Sequence, residues 1–300
     1  MRLLVTGGSG LIGGRLCLEA VKMGHDVYAA EHETSVDVGI PVKLDLLDAL
    51  SIESAYEKSR PEVVIHTAAL TDVDLCERNP ELAFRVNSDA TAQIALQAKR
   101  RGAFLIYIST DYVFDGVKGM YRETDEPNPI NAYGLSKLKG EVAVKKFAER
   151  WCIARLSTPY GIHKMKKTFP EYVIERLAKG ESVKVAYNQF TSPTYVPNFC
   201  RMLLEVVERD MQGIIHLSGS TRASRLEVAV KVAELLNLDK ALIDPTPLSE
   251  LKLDAKRPED SSLDVSKALQ ILKEKPITLE IGLNMLIHNL YELKAGGATV

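Results

Sequence analysis

The sequence has little that would tie it to a special environment. Its 300 residues carry a formal net charge of −2 and include only four cysteines and one tryptophan. Cys17, Cys76, Cys152 and Cys200 lie far apart without a CxxC pair, which favours free thiols over a disulfide framework or a thiolate metal site. The near-neutral charge disfavours nucleic-acid binding by bulk electrostatics. No apolar run approaches the ~18 residues of a membrane helix, and the N-terminus runs into glycines where a signal peptide would continue apolar. These absences predict a cytoplasmic protein that binds neither nucleic acid nor membrane.

Apolar and amphipathic segments alternate through the first half of the chain. The strand candidates are rich in Val and Ile without polar alternation, which is typical of strands buried on both faces of a parallel sheet. We therefore predict an α/β fold, a doubly wound, Rossmann-like parallel sheet. The predicted strands are 3–6, 27–30, 42–44, 63–66, 104–109 and 152–156, and the predicted helices are 11–23, 49–58, 80–101 and 132–150.

The rhythm changes after about Ser157. Further helices are predicted at 169–179, 198–209, 225–236 and 279–294, separated by proline-containing loops. We expect a dinucleotide-binding domain over 1–156, with a return segment near 189–217 whose strand at 213–217 rejoins the sheet. A smaller, helix-rich substrate-binding lobe is expected over 157–188 and 218–300. The final residues, 295–300, are expected to fray.

A glycine-rich loop joins the first predicted strand to the first predicted helix. Its sequence, TGGSGLIG over 6–13, contains overlapping GxGxxG and GxxGxxG spacings. Glycine lets the backbone turn tightly and approach a pyrophosphate, which the N–H groups of the helix N-terminus then bind. A plain glycine-rich turn is the alternative. We predict dinucleotide binding, with contacts from Gly7, Gly10, Leu11, Ile12 and Gly13.

An acidic residue follows the second predicted strand. Glu31 stands where a carboxylate can accept hydrogen bonds from the adenosine ribose hydroxyls and repel the 2′-phosphate of NADP. No Arg or Lys is its neighbour in the sequence, so NAD(H) is slightly favoured over NADP(H). A solvated loop acid is the alternative for Glu31, and Arg15 in the first helix could still reach a 2′-phosphate. Asp45 and Leu46, after the third strand, are expected to contact the adenine.

A tyrosine and a lysine stand four residues apart on a predicted helix. The i, i+4 spacing places Tyr133 and Lys137 on one face. A nearby ammonium and the positive nicotinamide ring favour the phenolate and lower the pKa of the tyrosine, which suits proton exchange at a carbonyl. Such a pair on a helix surface is common by chance. Here Ser109 and Thr110 end a strand just before it, and both elements lead to the carboxyl edge of the sheet, where doubly wound folds bind ligands.

With these motifs the chain is identified as resembling the extended short-chain dehydrogenases/reductases, and among them the dTDP-4-dehydrorhamnose reductases. The resemblance covers almost the whole chain, and STDYVFDG and the YGxSKxxGE segment are its most specific parts. The matching segments are TGGSGLIG (6–13), HTAALTDVDLCERNP (66–80), VN (86–87), STDYVFDG (109–116), YRETDEPNPINAYGLSKLKGE (121–141), NQFTSPTY (188–195) and RPEDSSLD (257–264).

The resemblance implies a catalytic triad of Thr110, Tyr133 and Lys137. Tyr133 would protonate the C4 carbonyl oxygen of a nucleotide-linked sugar, and Thr110 would hydrogen-bond the same oxygen. Lys137 would hold the nicotinamide ribose. Asn87 resembles the family's structural asparagine and could also cap the long helix.

The resemblance also implies contacts to the two ligands. Ala68, Ala69 and Leu70 would lie against the cofactor. For Asp111 and Asp115, turn and cap hydrogen bonds are favoured over direct catalysis. The expected substrate contacts are Asp72, Val73, Asp74, Tyr112, Gln189 and Arg257, the last through the diphosphate or, alternatively, as a surface arginine.

Two features bear on the choice of activity. The segment RLSTPYG (155–161) lacks an aromatic residue that some family members place there against the sugar, so the exact sugar stays open. His and Cys spacings indicate no protein-held metal.

The resemblance implies NAD(P)H-dependent reduction of dTDP-4-dehydro-L-rhamnose to dTDP-L-rhamnose by a homodimer. The alternatives are a nucleotide-sugar epimerase or dehydratase with recycled NAD, and a regulatory NADP-binding subunit resembling the methionine adenosyltransferase β subunit.

Overall fold

A computed structural model describes residues 1–165 and 167–295, and the strands and helices below are those of this part of the chain. The strands are β1 (Arg2–Thr6), β2 (Asp26–Glu31), β3 (Ile40–Lys43), β4 (Val63–His66), β5 (Phe104–Thr110), β6 (Trp151–Leu156), β7 (Pro159–Tyr160), β8 (Val183–Ala186), β9 (Phe190–Thr191), β10 (Thr194–Tyr195), β11 (Gly213–His216), β12 (Ala223–Ser224) and β13 (Ile243–Thr246). The helices are α1 (Leu11–Lys22), α2 (Ala49–Ser59), α3 (Val73–Arg78), α4 (Pro80–Phe84), α5 (Ala90–Arg100), α6 (Ala132–Phe147), α7 (Phe169–Ala178), α8 (Val196–Glu208), α9 (Arg225–Leu236), α10 (Ser266–Ile271) and α11 (Leu279–Ala295).

Seven of the described strands form one parallel sheet in the order β11-β6-β5-β4-β1-β2-β3. The strand order reverses between β1 and β4, which is where an open α/β sheet forms a ligand crevice at its carboxyl edge. The predicted doubly wound fold is confirmed, and so is the return of the strand near 213–217 to the sheet.

The sheet is covered on both faces because neighbouring residues of each central strand point to opposite sides. In β1, Leu3 and Val5 join the core cluster that includes α1 and α8, whereas Leu4 joins the cluster that includes α2 and α5. A third cluster gathers α7, α9 and α11 around Val173, Val228 and Leu283. This third core is distinct from the two clusters that cover the sheet.

Two sequence expectations differ from the structure. The single helix expected over 80–101 contains a π-helical turn at Arg85–Asp89 between α4 and α5. Asn87 lies inside that turn, so its expected capping role is wrong. In addition, α10 packs on the core beside β11 and not in the lobe. The division of the chain into two domains stays a prediction.

Several smaller observations concern the residues that the structure describes. All four cysteines are buried and unpaired, as expected. No helix in the described ranges combines the length and apolarity needed to cross a membrane. Of the tail expected to fray, Ala295 closes α11, and 296–300 lie outside the described residues.

Candidate active site

The glycine loop forms a cradle that side chains would fill. A Cβ added to Gly13 would lie 2.1 Å from the carbonyl oxygen of Gly7, and one on Gly7, whose φ is +68°, would lie 3.0 Å from Ala68. The loop is held by the bond from the Gly10 N–H to the Gly7 carbonyl, 3.0 Å long. Leu11 and Ile12 begin α1 directly behind it. The residues present therefore fit a dinucleotide pyrophosphate, which needs close backbone approach to a helix N-terminus.

The segment after β4 crosses this loop and is fixed by two partners. Thr67 donates to the Thr6 carbonyl oxygen over 2.6 Å, and the Ala68 N–H donates to the Thr6 hydroxyl. At its far end, the Leu70 N–H donates to the Asn87 side chain over 2.8 Å, and the Asn87 amide donates back to Leu70. Ala68, Ala69 and Leu70 thus line the crevice beside the glycine loop.

The proposed triad is assembled at the carboxyl edge. Thr110 ends β5, and Tyr133 and Lys137 lie in the first turns of α6, which begins at the cap residue Asn131. Gly134 allows the close approach, because a Cβ there would lie 2.1 Å from the Tyr112 carbonyl oxygen. The structure therefore brings all three predicted side chains to one place.

The protonation of the pair differs from the expectation. Burial raises the pKa of Tyr133, while a hydrogen bond with Thr110 acts in the opposite direction. Burial also lowers the pKa of Lys137 to about 7, against the raising effect of Glu141. The Lys137 ammonium donates to the Ile108 carbonyl oxygen over 2.7 Å. The expected lowering of the Tyr133 pKa rests on the Lys137 ammonium and the positive nicotinamide ring together. Among the protein's own groups burial dominates and keeps the phenol protonated, as a proton donor must be.

Asp111 does not serve the turn as expected. Its carboxylate is buried and accepts hydrogen bonds from Ser157 (2.8 Å) and Ser261 (2.5 Å), and from the Thr110 hydroxyl (3.1 Å). Burial raises its pKa. Asp111 therefore joins the ends of β5 and β6 to the C-terminal segment. Asp115 does stabilise its turn, by accepting from the Val117 N–H.

A buried ion pair lies beneath the triad. Arg155 of β6 donates two hydrogen bonds to Glu141 of α6, of 2.8 and 2.7 Å, and Ser109 adds one of 2.6 Å. Both charged side chains are at most 1% exposed. Removing one partner of such a pair leaves an uncompensated buried charge. The pair fixes the helix that carries Tyr133 and Lys137 to the sheet.

At the end of β2, Glu31 has a partner that its sequence neighbours did not reveal. The Lys43 ammonium, on the adjacent strand, lies 2.9 Å from Glu31. Asp45 accepts from the Leu47 N–H, and Leu46 packs on the core. Arg15 pairs with Glu19 within α1 at 2.5 Å.

Two of the expected substrate residues bind each other. Arg257 donates to both carboxylate oxygens of Asp74, over 3.0 and 2.9 Å, and the guanidinium holds the pKa of Asp74 low. Asp72 caps α3 by accepting from the Leu75 N–H, and Val73 follows as the first helical residue. Asp72, Asp74 and Arg257 thus all have partners within the protein, and their contact with substrate stays a prediction.

Tyr112 and Gln189 do come together, with 3.4 Å between the Gln189 amide and the phenol oxygen. The Tyr112 ring meets the Tyr133 ring edge-on at 5.8 Å. Arg225, the first residue of α9, was missed by the sequence analysis. Its guanidinium lies 4.8 Å from the Phe169 ring centroid. Burial lowers the pKa of Arg225, and the nearby Tyr112 partly opposes this shift. Only the tertiary fold brings this residue to the site, although the Ser-Arg-Leu-Glu start of α9 marks a helix N-terminus.

A doubly wound sheet, a glycine cradle at its reversal point and a Thr/Tyr/Lys set at the same edge define a Rossmann-fold protein of the short-chain dehydrogenase/reductase type. A family model described as the RmlD substrate binding domain matches residues 1–292. The chain therefore belongs to this family, which confirms the resemblance drawn from the motifs.

Curated relatives match most of the chain. The probable low-salt glycan biosynthesis reductase Agl14 of Haloferax volcanii is 34% identical over 271 residues, covering 89% of this chain and 90% of the relative. The methionine adenosyltransferase 2 subunit beta of Danio rerio is 32% identical, covering 89% of this chain and 83% of the relative.

Solved structures match the fold closely. The dTDP-4-dehydrorhamnose reductase of Bacillus anthracis in complex with NADP has a TM-score of 0.86 and 30% identity, with coverage of 96% of this chain and 99% of that one. A hypothetical dTDP-4-dehydrorhamnose reductase of Sulfolobus tokodaii has a TM-score of 0.85 and 39% identity, with coverage of 94% and 99%.

Proposed function

We propose that the protein is an NAD(P)H-dependent reductase of the C4 carbonyl of a nucleotide-linked 4-keto sugar, with dTDP-4-dehydro-L-rhamnose as substrate and dTDP-L-rhamnose as product. The observation that carries the proposal is the meeting of Thr110, Tyr133 and Lys137 beside the glycine cradle. The similarity to dTDP-4-dehydrorhamnose reductases supports the same choice.

The chain's own groups divide the work at the carbonyl. Bound NAD(P)H supplies the hydride. Tyr133, protonated because burial raises its pKa, gives its phenolic proton to the carbonyl oxygen, so the alcohol forms without a free alkoxide. Thr110 donates a hydrogen bond to the same oxygen. Lys137 holds the cofactor ribose, and its ammonium stabilises the phenolate that Tyr133 becomes after it has given up its proton.

The sugar nucleotide lies between the sheet edge and the lobe in this proposal. The partly buried Arg225 lies close enough to Tyr112 for the phenol to influence its pKa, and its guanidinium is suited to the diphosphate, since guanidinium groups bind phosphate oxygens in pairs. Arg257 takes that role only by leaving Asp74. The proposed contacts of Asp72, Val73, Gln189 and Tyr112 surround the sugar. We place the protein in the cytoplasm as a homodimer, which cell fractionation and sedimentation test.

The test is turnover with a panel of 4-keto nucleotide sugars and both reduced cofactors. We expect oxidation of the cofactor to be fastest with dTDP-4-dehydro-L-rhamnose. Product formed without net oxidation would favour an epimerase.

The relationship to the methionine adenosyltransferase subunit gives the second candidate function, a regulatory subunit. Cofactor binding without turnover of any sugar in the panel, together with co-purification of a methionine adenosyltransferase, would favour that role. The complete Thr110, Tyr133 and Lys137 set supports the reductase.

A further inference from the structure

The adenosine edge of the crevice contains an acidic residue whose two oxygens are already engaged. Glu31 accepts from the Lys43 ammonium through one oxygen and from the Val36 N–H through the other, each at 2.9 Å. Its side chain is 10% exposed. An acid that selects NAD normally directs both oxygens to the ribose hydroxyls. Glu31 is instead committed to holding the loop after β2.

That loop forms part of the wall beside the phosphate cradle. A Cβ on Gly8 would lie 3.0 Å from Val36, so the valine packs directly on the glycine loop. The Gly8 N–H in turn donates to the Ala30 carbonyl oxygen over 2.9 Å. Turning Glu31 toward a ribose would release Val36 and loosen this wall.

Lys43 is far more exposed to solvent than Glu31. The two residues end neighbouring parallel strands as register partners, yet the Lys43 side chain is 69% exposed. Its ammonium can therefore turn from Glu31 to another anion while staying solvated, and Glu31 keeps its hydrogen bond from the Val36 N–H. A phosphate monoester carries roughly −1.5 to −2 charges near neutral pH, more than one carboxylate.

A second cation stands on the other side of the same loop. Lys164 pairs with Asp37 at 2.9 Å, and the neighbouring His163 donates to the Ser9 carbonyl oxygen in the glycine loop. The exposed Glu33 and Asp37 belong to this loop and oppose a phosphate, but Asp37 is offset by Lys164.

We propose that Lys43 selects the cofactor by pairing with the ribose 2′-phosphate, so that the site prefers NADP(H) over NAD(H) despite the acid at the end of β2. The inference rests on the dinucleotide binding in the proposed function. It makes Lys43 a specificity residue that acts on one phosphate and leaves the carbonyl chemistry unchanged.

The test uses two probes that differ only in the 2′-phosphate, adenosine 2′,5′-bisphosphate and 5′-AMP, with dissociation constants from titration calorimetry. We expect wild type to bind the bisphosphate at least about tenfold more tightly, the effect of one charge-assisted hydrogen bond. Lys43→Ala should remove most of this preference and leave 5′-AMP binding unchanged. Glu31→Gln, which keeps an acceptor for Val36, should increase the preference.

Lys184→Ala is the matched control, since this exposed lysine lies on β8 in the lobe. It should bind both probes as wild type does. Equal affinity of wild type for the two probes, or an unchanged preference in Lys43→Ala, would overturn the proposal. Neither probe needs a sugar, so a preference retained in a protein that turns over no 4-keto sugar would reject the proposed reaction and keep this inference. Binding of neither probe to the folded protein would reject both.

Discussion

Two carboxylate–cation pairs stand near the same edge of the sheet and differ in burial. Glu141 and Arg155 are 0% and 1% exposed, and three hydrogen bonds converge on the carboxylate. In the second pair, Lys43 is 69% exposed and Glu31 is 10% exposed, and the two meet through one contact. A buried cation cannot change partners without becoming unsolvated, whereas an exposed ammonium can. The Glu141–Arg155 pair therefore fixes the position of α6, whereas Lys43 is free to select between cofactors.

Breaking the buried pair should have the largest effect on stability. We expect Glu141→Ala to lower the free energy of unfolding by about 3–5 kcal/mol, because Arg155 is left buried and unpaired. Urea denaturation measures this. The matched control is Glu175→Ala, which breaks the exposed contacts with Lys167 and Lys179 and should cost less than about 1 kcal/mol. Equal losses in the two variants would refute the contrast.

A substitution at Tyr133 leaves both ion pairs intact and should affect catalysis without affecting stability. Tyr133→Phe should lower kcat by about 10³-fold, within the range for loss of a general acid, while cofactor affinity and unfolding midpoint stay near wild type. Steady-state kinetics with dTDP-4-dehydro-L-rhamnose and a binding titration check this. Unchanged turnover would remove Tyr133 from the mechanism.

The glycine cradle predicts that a side chain in the loop weakens cofactor binding. Gly13→Ala should weaken cofactor binding and destabilise the fold by about 1–3 kcal/mol, since its Cβ would lie 2.1 Å from a carbonyl oxygen. Gly161→Ala is the control, because its nearest neighbour would be 3.4 Å away. Calorimetry with NADPH compares the two. Wild-type affinity in Gly13→Ala would mean that the cofactor does not approach this loop.

Two buried histidines should make the stability of the fold depend on pH. Burial lowers the pKa of His66 to about 3, and that of His216 to about 3, with Arg155 contributing to the latter. An unfolded histidine titrates near 6.5, so below that pH the unfolded state binds more protons. The free energy of unfolding should fall as the pH drops from about 6.5 to 5, with a slope that approaches about 1.4 kcal/mol per pH unit and per ring at the lower end.

Urea denaturation at several pH values measures the slope. His32→Ala, which removes a ring that is 62% exposed, should leave it unchanged. A flat stability between pH 6.5 and 5 would contradict the buried, neutral state of His66 and His216.

The sequence was most informative where the signal is local. The glycine loop, the Tyr133/Lys137 spacing and the strand that ends at Thr110 each lie within a few consecutive residues, and the fold brings them together as expected. Lys43, Arg225 and the buried role of Asp111 could not be predicted, because their partners are between 12 and 150 residues away and only the tertiary fold sets those distances. The effect of burial on the pKa of Tyr133 could not be predicted for the same reason, because the Tyr-x-x-x-Lys spacing does not show how deeply the phenol is buried.

The most direct test of the account is the fate of the transferred hydrogen. With NADPH deuterated at the transferring position and dTDP-4-dehydro-L-rhamnose, we expect dTDP-L-rhamnose with one deuterium at C4, seen by mass spectrometry and NMR. A reductase that adds the cofactor's hydride to the C4 carbonyl requires this result. Unlabelled product, or label at another carbon, would contradict it.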